Sequence, residues 1–312
     1  MNNLTFKQRR EKFETDKNIY ASKKLTFIGV EGYDVYNCSI PFEYNNERYI
    51  FGRVERRTEW ARSWSYLFKH EGNDIYRKVE NSMIYHIEDP YIAVIKNEFV
   101  LGGTSVLRMN NEIESYRAYF YRGTDLMNLY YFTTGPIHMK DIRLVQIAGK
   151  IGVFSRPNGV VGFTLINSLD ELNADVIMNA KLIDNMFDGG EWGSCNQAYL
   201  LDSGYIGIIG HKCYKYKVEE DKDMNAYLNV SFVYDYKNNE ILDEKIIGTR
   251  TCYPDGETKK FITRDSAFTS GIVMREDNKC DLYSGINDIE EGIATIDYPF
   301  AGFGNVITKT QL

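Results

Sequence analysis

One pattern recurs through the chain: a short apolar strand, a tight polar turn, then a second apolar strand that ends in polar residues. It appears at Ile40–Glu55, Tyr91–Ser105, Ile142–Arg156, Ala198–Lys212 and Gly271–Asp288, with turns near Asn46, Asn97, Gly149, Gly204 and Asn278. Asn and Gly at these turns supply the positive φ that two-residue hairpins require. The first four turns are spaced at about 50 residues, a period that fits radially arranged units of several strands. The longer last interval leaves room for another hairpin, Leu228–Lys245, turning at Lys237–Asn239. An antiparallel sandwich also shows hairpins at intervals, but near-equal spacing favours radial closure, which protects sheet edges. The expectation is an all-β fold: a single five-bladed β-propeller over residues 1–312, with residues 1–24 as a short N-terminal helical extension. Helical periodicity is confined to Thr5–Asp16 and to Ser168–Ala174, where Ser168 is placed to cap a short turn. The charged stretch Lys217–Asp223 reads as an insertion-like loop.

Composition narrows the function. Lys and Arg total 37 against 44 Asp and Glu, a net charge of −7, which disfavours tracking of a phosphate backbone. No apolar run approaches the ~18 residues of a membrane span, and Met1–Lys24 has no signal-peptide character. The 24 tyrosines suit half-buried pleated surfaces, and most of them are expected in the core. Five cysteines, scattered and without a CxxC, point to buried thiols in a reducing cytoplasm rather than disulfides or zinc. The expected partners therefore include neither nucleic acid nor membrane, and no metal; the oligomeric state is left open.

The chemistry is expected where the second strand of each unit runs into polar groups. These are Arg53 and Glu55, Gly102–Thr104, Arg156, His211 and Lys212, and Asn287 and Asp288. Strand approaches add Glu88–Asp89–Pro90, Lys140–Arg143 and Asn196–Gln197, and radial packing brings all of them to one axis. Asp89 stands out. Proline after it disfavours helix and predicts an extended approach, and partial burial beside Glu88 is a setting that raises a carboxyl towards a general acid's range. Turn chemistry alone also explains an Asp–Pro pair at a strand entrance. Arg53, Arg143, Arg156 and His211 share the channel side of an acidic protein, and arginines there suit phosphate or carboxylate oxygens. Structural pairing with Glu55, Glu88, Asp141 and Asp288 is the competing explanation. Alternation along a strand puts Arg53, Glu55 and Arg57 on one face. There is no GxSxG, P-loop, GxGxxG or HExxH, and the four histidines lack metal spacing.

Glu88-Asp89-Pro90 together with Gly52-Arg53-Val54-Glu55 resembles the five-bladed propellers of glycoside hydrolase family 130. The closer resemblance is to the mannosyltransferase-phosphorylase family, glycosyltransferase family 108, formerly a domain of unknown function. It is carried by Met139–Leu144, Ile151–Pro157, Glu191-Trp192-Gly193 with Asn196-Gln197, Ile206–His211, and Phe268–Gly271 with Tyr283–Asp288. These segments cover about residues 40 to 300; the first forty residues add nothing to it.

The resemblance implies inverting, reversible transfer of β-1,2-linked mannose between a mannoside and phosphate, giving mannose 1-phosphate. Some family members also use a nucleotide-sugar donor. It carries the catalytic aspartate onto Asp89, which protonates the leaving oxygen directly or through a sugar hydroxyl. Phosphate falls to Arg143, Arg156, His211 and Lys259, and sugar contacts to Arg53, Glu55, Glu88, Asp141, Asn196, Gln197 and Asp288. Inorganic phosphate is then the co-substrate and no cofactor is needed. An inverting hydrolase needs two carboxylates, whereas a phosphorylase needs one acid and cations for its anionic nucleophile. A water-using glycosidase, with Glu55, Asp141 or Asp288 as base, and a non-catalytic carbohydrate-binding propeller are the alternatives.

Overall fold

The computed structural model describes residues 4–218 and 222–312. Each expected hairpin forms with its turn where the sequence puts it. Asn45 and Asn46 have φ of 52° and 60°, Lys96 and Asn97 have 49° and 63°, and Asn278 has 57°. These left-handed residues give strand connections the twist of the strands they join. A further Asn pair, Asn110–Asn111, turns the hairpin between Glu98–Met109 and Glu112–Gly123.

The strands fall into five consecutive antiparallel groups. The first holds Tyr33–Tyr36, Phe42–Tyr44, Glu47–Arg56, Trp64–His70 and Ile75–Lys78, with Thr26–Ile28 added in parallel. The second runs Glu88–Ile95, Glu98–Met109, Glu112–Gly123 and Tyr130–Thr134. The third is Arg143–Ile147, Lys150–Ser155, Gly162–Ile166 and Lys181–Leu182. The fourth is Glu191–Leu200, Ile206–Lys217, Asp223–Asp235 and Glu240–Gly248. The fifth is Asp265–Met274, Lys279–Ile286, Glu290–Asp297 and, from the other end of the chain, Ala21–Lys24. Hydrogen bonding makes four sheets of these rather than five. A short parallel contact, Ala226 with Asp265 and Tyr227 with Ser266, fuses the fourth and fifth groups.

Apolar alternation dictates how the groups meet. One buried cluster, around Phe42, Phe51, Ile92 and Phe99, lies between the first and second groups. Others join second to third (Phe120, Leu144), third to fourth (Phe154, Phe232) and fourth to fifth (Tyr199, Leu282). Val35, Ile50, Tyr283 and Ile293 then join the fifth to the first. Most of the aromatic content is consumed here, as expected. The carboxy-terminal segment ties fourth to first, with Ile307 N–H donating to the Leu200 carbonyl and Leu312 N–H to that of Glu43.

Two expectations need correction. Residues 1–24 are not all extension, because Ala21–Lys24 pairs with Glu290–Asp297 as an integral strand. Ser168 precedes a 3-10 turn, Leu169–Glu171, but its hydroxyl caps nothing; Asn173 caps the helix Ala174–Met178 through Val176 N–H. Of the loop read at Lys217–Asp223, residues 219–221 lie outside the described residues, and Lys217 and Asp223 are the ends of two paired strands. The helix Phe6–Asp16 forms as expected, with a Thr5–Gln8 capping box. Among the described residues, no helix is long and apolar enough to cross a membrane.

Candidate active site

All five groups send residues into one cavity of about 490 Å³. Asn37 and Arg53 come from the first, Glu88, Asp89 and Tyr116 from the second, and Lys140 and Arg156 from the third. Trp192, His211 and Tyr227 come from the fourth, and Phe268 and Asp288 from the fifth. Of the residues expected at the site, the cavity thus gathers Arg53, Glu88, Asp89, Arg156, His211 and Asp288.

Asp89 is not extended. Its φ is 51°, and the pairing between its strand and the next slips between Glu88 and Tyr91. An aspartate in the left-handed region at a bulge carries backbone strain of order 1–2 kcal/mol, which the surrounding structure must impose. Proline removes the helical option without dictating the extended one. The bulge turns the carboxylate into the cavity, where one oxygen is fully engaged: Asn37 Nδ2 donates to Oδ1 at 2.7 Å and Arg53 Nη1 at 2.8 Å. Asp89 Oδ2 has no protein partner among the described residues.

Arg53 organises this corner. Its Nη2 lies 3.1 Å from Glu88 and 3.5 Å from Glu55, Nε donates to Ser63 Oγ at 2.8 Å, and the guanidinium stands over the Tyr36 ring. Burial opposes its charge, but Glu88, Tyr36, Asp89 and Glu55 more than offset this and hold it firmly cationic. Glu88 is pushed up to about 7, chiefly by burial and further by the Asp89 charge. Asp288 is also raised, by burial and by Asp89, and it has no hydrogen-bond partner in the protein among the described residues.

The same cavity holds two cations, Lys140 and Arg156, and an imidazole, that of His211. Lys140 makes no hydrogen bond or ion pair among the described residues, yet Asp141, Asp89 and Glu88 raise its pKa despite burial. Arg156 Nη1 pairs with Asp141 Oδ2 at 3.1 Å, while its buried Nε has no partner. His211 Nδ1 sits 2.7 Å from Asn196 Oδ1. Burial lowers the imidazole to about 3, so it offers a neutral hydrogen-bonding group.

Six expected ligands do not line the cavity, and each has a physical reason. Glu55 is saturated by Tyr36 Oη at 2.6 Å, Ser63 Oγ at 2.9 Å, Arg62 N–H at 2.9 Å and Lys259 Nζ, and, against burial, the Arg53 charge with Lys259 and Tyr36 lowers it to about 2. Lys259 is thereby spent on Glu55 rather than on phosphate. Arg143 Nε donates to the Asn196 carbonyl at 2.8 Å, and its guanidinium rests over Tyr91. Asp141 lies beneath Lys140 and Arg156 as their counter-charge, its pKa lowered by Lys140, Arg156 and His211 against burial. Asn196 braces His211, and Gln197 Nε2 donates to the Ile92 carbonyl at 3.2 Å. These residues position the lining rather than form it.

Asn37 escaped the sequence reading, and Lys140 was placed on a strand approach to the axis without a role of its own. Lys140 stands beside Asp141, whose φ of 59° breaks the alternation by which facing residues are chosen. Asn37, at φ 47°, lies ahead of the first recognised hairpin. A Cβ at Gly285 would fall 1.9 Å from Asn37 Oδ1, so glycine there is what lets Asn37 reach Asp89.

A walled cavity in an all-β protein that gathers a half-engaged carboxylate and the cations Lys140 and Arg156 is the setting of an enzyme's active site, and the relatives are enzymes. The chain belongs to the DUF1861 family, described as protein of unknown function, whose model matches residues 11–302. Its structure resembles MPT-1, a GDP-Man-dependent mannosyltransferase from Leishmania mexicana, at 45% identity over 99% of each chain, with a TM-score of 0.95. MPT-4, a mannose phosphorylase from the same organism in complex with phosphate ion, is 48% identical over 98% of this chain and 96% of its own, with a TM-score of 0.94. A structure from the GH130 family of mannoside phosphorylases, which contains glycoside hydrolases that target β-1,2 mannosidic linkages in Candida mannan, shares the fold, being 14% identical with a TM-score of 0.63 over 90% of this chain and 95% of its own. No curated protein sequence matches the chain.

Proposed function

We propose that the protein is an inverting mannoside phosphorylase and mannosyltransferase acting on β-1,2 linkages, with inorganic phosphate as co-substrate and no cofactor. The observation that carries this reading is that one cavity gathers Asp89, whose Oδ2 has no protein partner among the described residues, with the cations Lys140 and Arg156. In phosphorolysis a phosphate oxygen attacks the anomeric carbon as the bond to the departing sugar oxygen breaks. Asp89 supplies the proton that oxygen takes up, directly or through a sugar hydroxyl. Arg53 then stabilises the carboxylate left behind, and Lys140, Arg156 and His211 hold the nucleophile in line. The β-1,2 linkage rests on the motif resemblance. The mannose 1-phosphate product and the phosphate site rest also on likeness to MPT-4.

Carboxylate inventory argues against hydrolysis. A base for water must be ionised and reach the cavity. Glu55 and Asp141, two of the bases a hydrolase would use here, are held ionised but lie behind the lining, where neither reaches a water beside the sugar. We also read the five strand groups as the blades of a single propeller, supported by the cyclic sharing of their cores. The five free, buried thiols support a cytoplasmic setting.

The test is incubation with β-1,2-mannobiose with and without phosphate. Phosphate-dependent formation of mannose 1-phosphate, abolished by Asp89→Asn in a folded variant, is expected. Equal sugar release without phosphate would refute the reading, as would binding of the mannoside with no turnover.

A further inference from the structure

A second cavity, also of about 490 Å³, adjoins the first and shares Ala61 and Val106 with it. Its walls carry Arg56, Arg62 and Arg108 together with His86 and Trp64, and a single acid, Glu59. In a chain of net charge −7, three guanidiniums around one carboxylate are an unusual concentration of positive charge. Their partners leave that charge in place. Arg108 Nη1 donates to the Trp60 carbonyl at 3.1 Å and Nη2 to the Asn111 carbonyl, while its buried Nε has no partner. Arg62 Nη2 donates to Asn111 Oδ1 at 2.8 Å and approaches Glu59 only to 4.0 Å through Nη1. Arg56 meets Tyr33, through its hydroxyl and ring, and no carboxylate within ion-pair distance among the described residues. At the rim, Lys260 stands 3.9 Å over the Trp60 ring and adds a further positive charge.

The groove's position says which end of a substrate meets it. Lys140 and Arg156 come from the third strand group and His211 from the fourth, whereas the groove opens from the first and second. Inverting displacement places the nucleophile and the leaving sugar on opposite faces of the transferred ring. With phosphate on the Lys140–Arg156–His211 side, the leaving sugar, which is the acceptor in synthesis, extends towards the groove. We propose that this groove is a subsite for an acceptor bearing a phosphate group, which Arg56, Arg62 and Arg108 hold beyond the site of transfer. The proposal rests on the phosphorylase reading above.

The test runs in the synthetic direction with mannose 1-phosphate as donor, comparing mannobiose with the same disaccharide carrying a phosphate ester on its reducing-end sugar. The phosphorylated acceptor is expected to have a kcat/KM roughly tenfold higher, the gain from one charge-assisted bidentate contact. That advantage should shrink as salt rises from about 0.05 to 0.5 M. It should also vanish in Arg56→Ala/Arg62→Ala, two exposed positions whose loss leaves the core intact. A phosphorylated acceptor no better than the neutral one, or an advantage that survives the double substitution, overturns the subsite. Failure of wild type to extend even neutral mannobiose would instead refute the phosphorylase reading. Calorimetric titration of the phosphorylated disaccharide into both proteins then still tests the subsite: equal affinity for the two proteins overturns it.

Discussion

Replacing Arg53 with alanine should unfold this protein's charge balance from the inside. The guanidinium is 5% exposed and lies within 3.5 Å of three carboxylates, those of Asp89, Glu88 and Glu55. Stripping one partner from a buried ion pair typically costs about 3–5 kcal/mol, because the remaining charge keeps its desolvation penalty. For a chain of this size that is a drop in melting temperature of roughly 5–8 °C. The loss should depend on pH. Glu88 titrates near 7, so at pH 8 it is an anion that the missing arginine no longer offsets, whereas at pH 5 it has gained a proton. The destabilisation should therefore be about 1 kcal/mol or more smaller at pH 5. Arg53→Lys, which keeps the charge but not the forked contacts, should recover part of the stability and little of the activity. Urea denaturation at the two pH values, with turnover alongside, is the measurement. A loss below ~1 kcal/mol, or one equal at both pH values, would refute the account of Arg53 as the counter-ion of this corner.

Other outcomes follow from the same geometry. Lys140→Ala should raise the KM for phosphate by roughly tenfold or more while sparing mannoside binding, as steady-state kinetics with phosphate varied would show. Gly285→Ala forces a methyl group to 1.9 Å from Asn37 Oδ1, so it should displace Asn37 and cut kcat more than Asn37→Ala itself does. In acid, Glu55 contributes stability that is complete above its ordinary pKa and lost as pH falls towards its folded value of about 2. That contribution is about 3 kcal/mol, and Glu55→Gln should flatten acid unfolding curves below pH 4.5. Glu291, buried with Cys38 N–H and Ser270 Oγ as donors, is raised to about 7 and acts the opposite way. Its cost grows as pH rises from about 4.5 to 7, so Glu291→Gln should stabilise the protein at pH 8 and not at pH 4.

What the sequence alone determined is local. Asn and Gly at the hairpin turns encode positive φ, and apolar runs on either side encode strands, so the repeat and each turn are legible from neighbouring residues. Polar groups at the ends of second strands were legible too, which is why Arg53, Arg156, His211 and Asp288 were found, and Asp89–Pro90 announced itself as a pair. Tertiary structure decided which of these face the cavity. Left-handed residues at Asn37, Asp89 and Asp141 reset side-chain direction at the points where strand alternation would have been used to choose a face. Burial then divided the charges: Glu55 and Lys259 satisfied each other, Arg143 was absorbed by carbonyls and a ring, and Lys140 was left without a partner among the described residues. Whether a charged side chain is structural or available for chemistry depends on what stands within a few ångströms of it. Those neighbours come from other strand groups, fifty or two hundred residues away, as with Asn37 and Asp89 or Glu55 and Lys259.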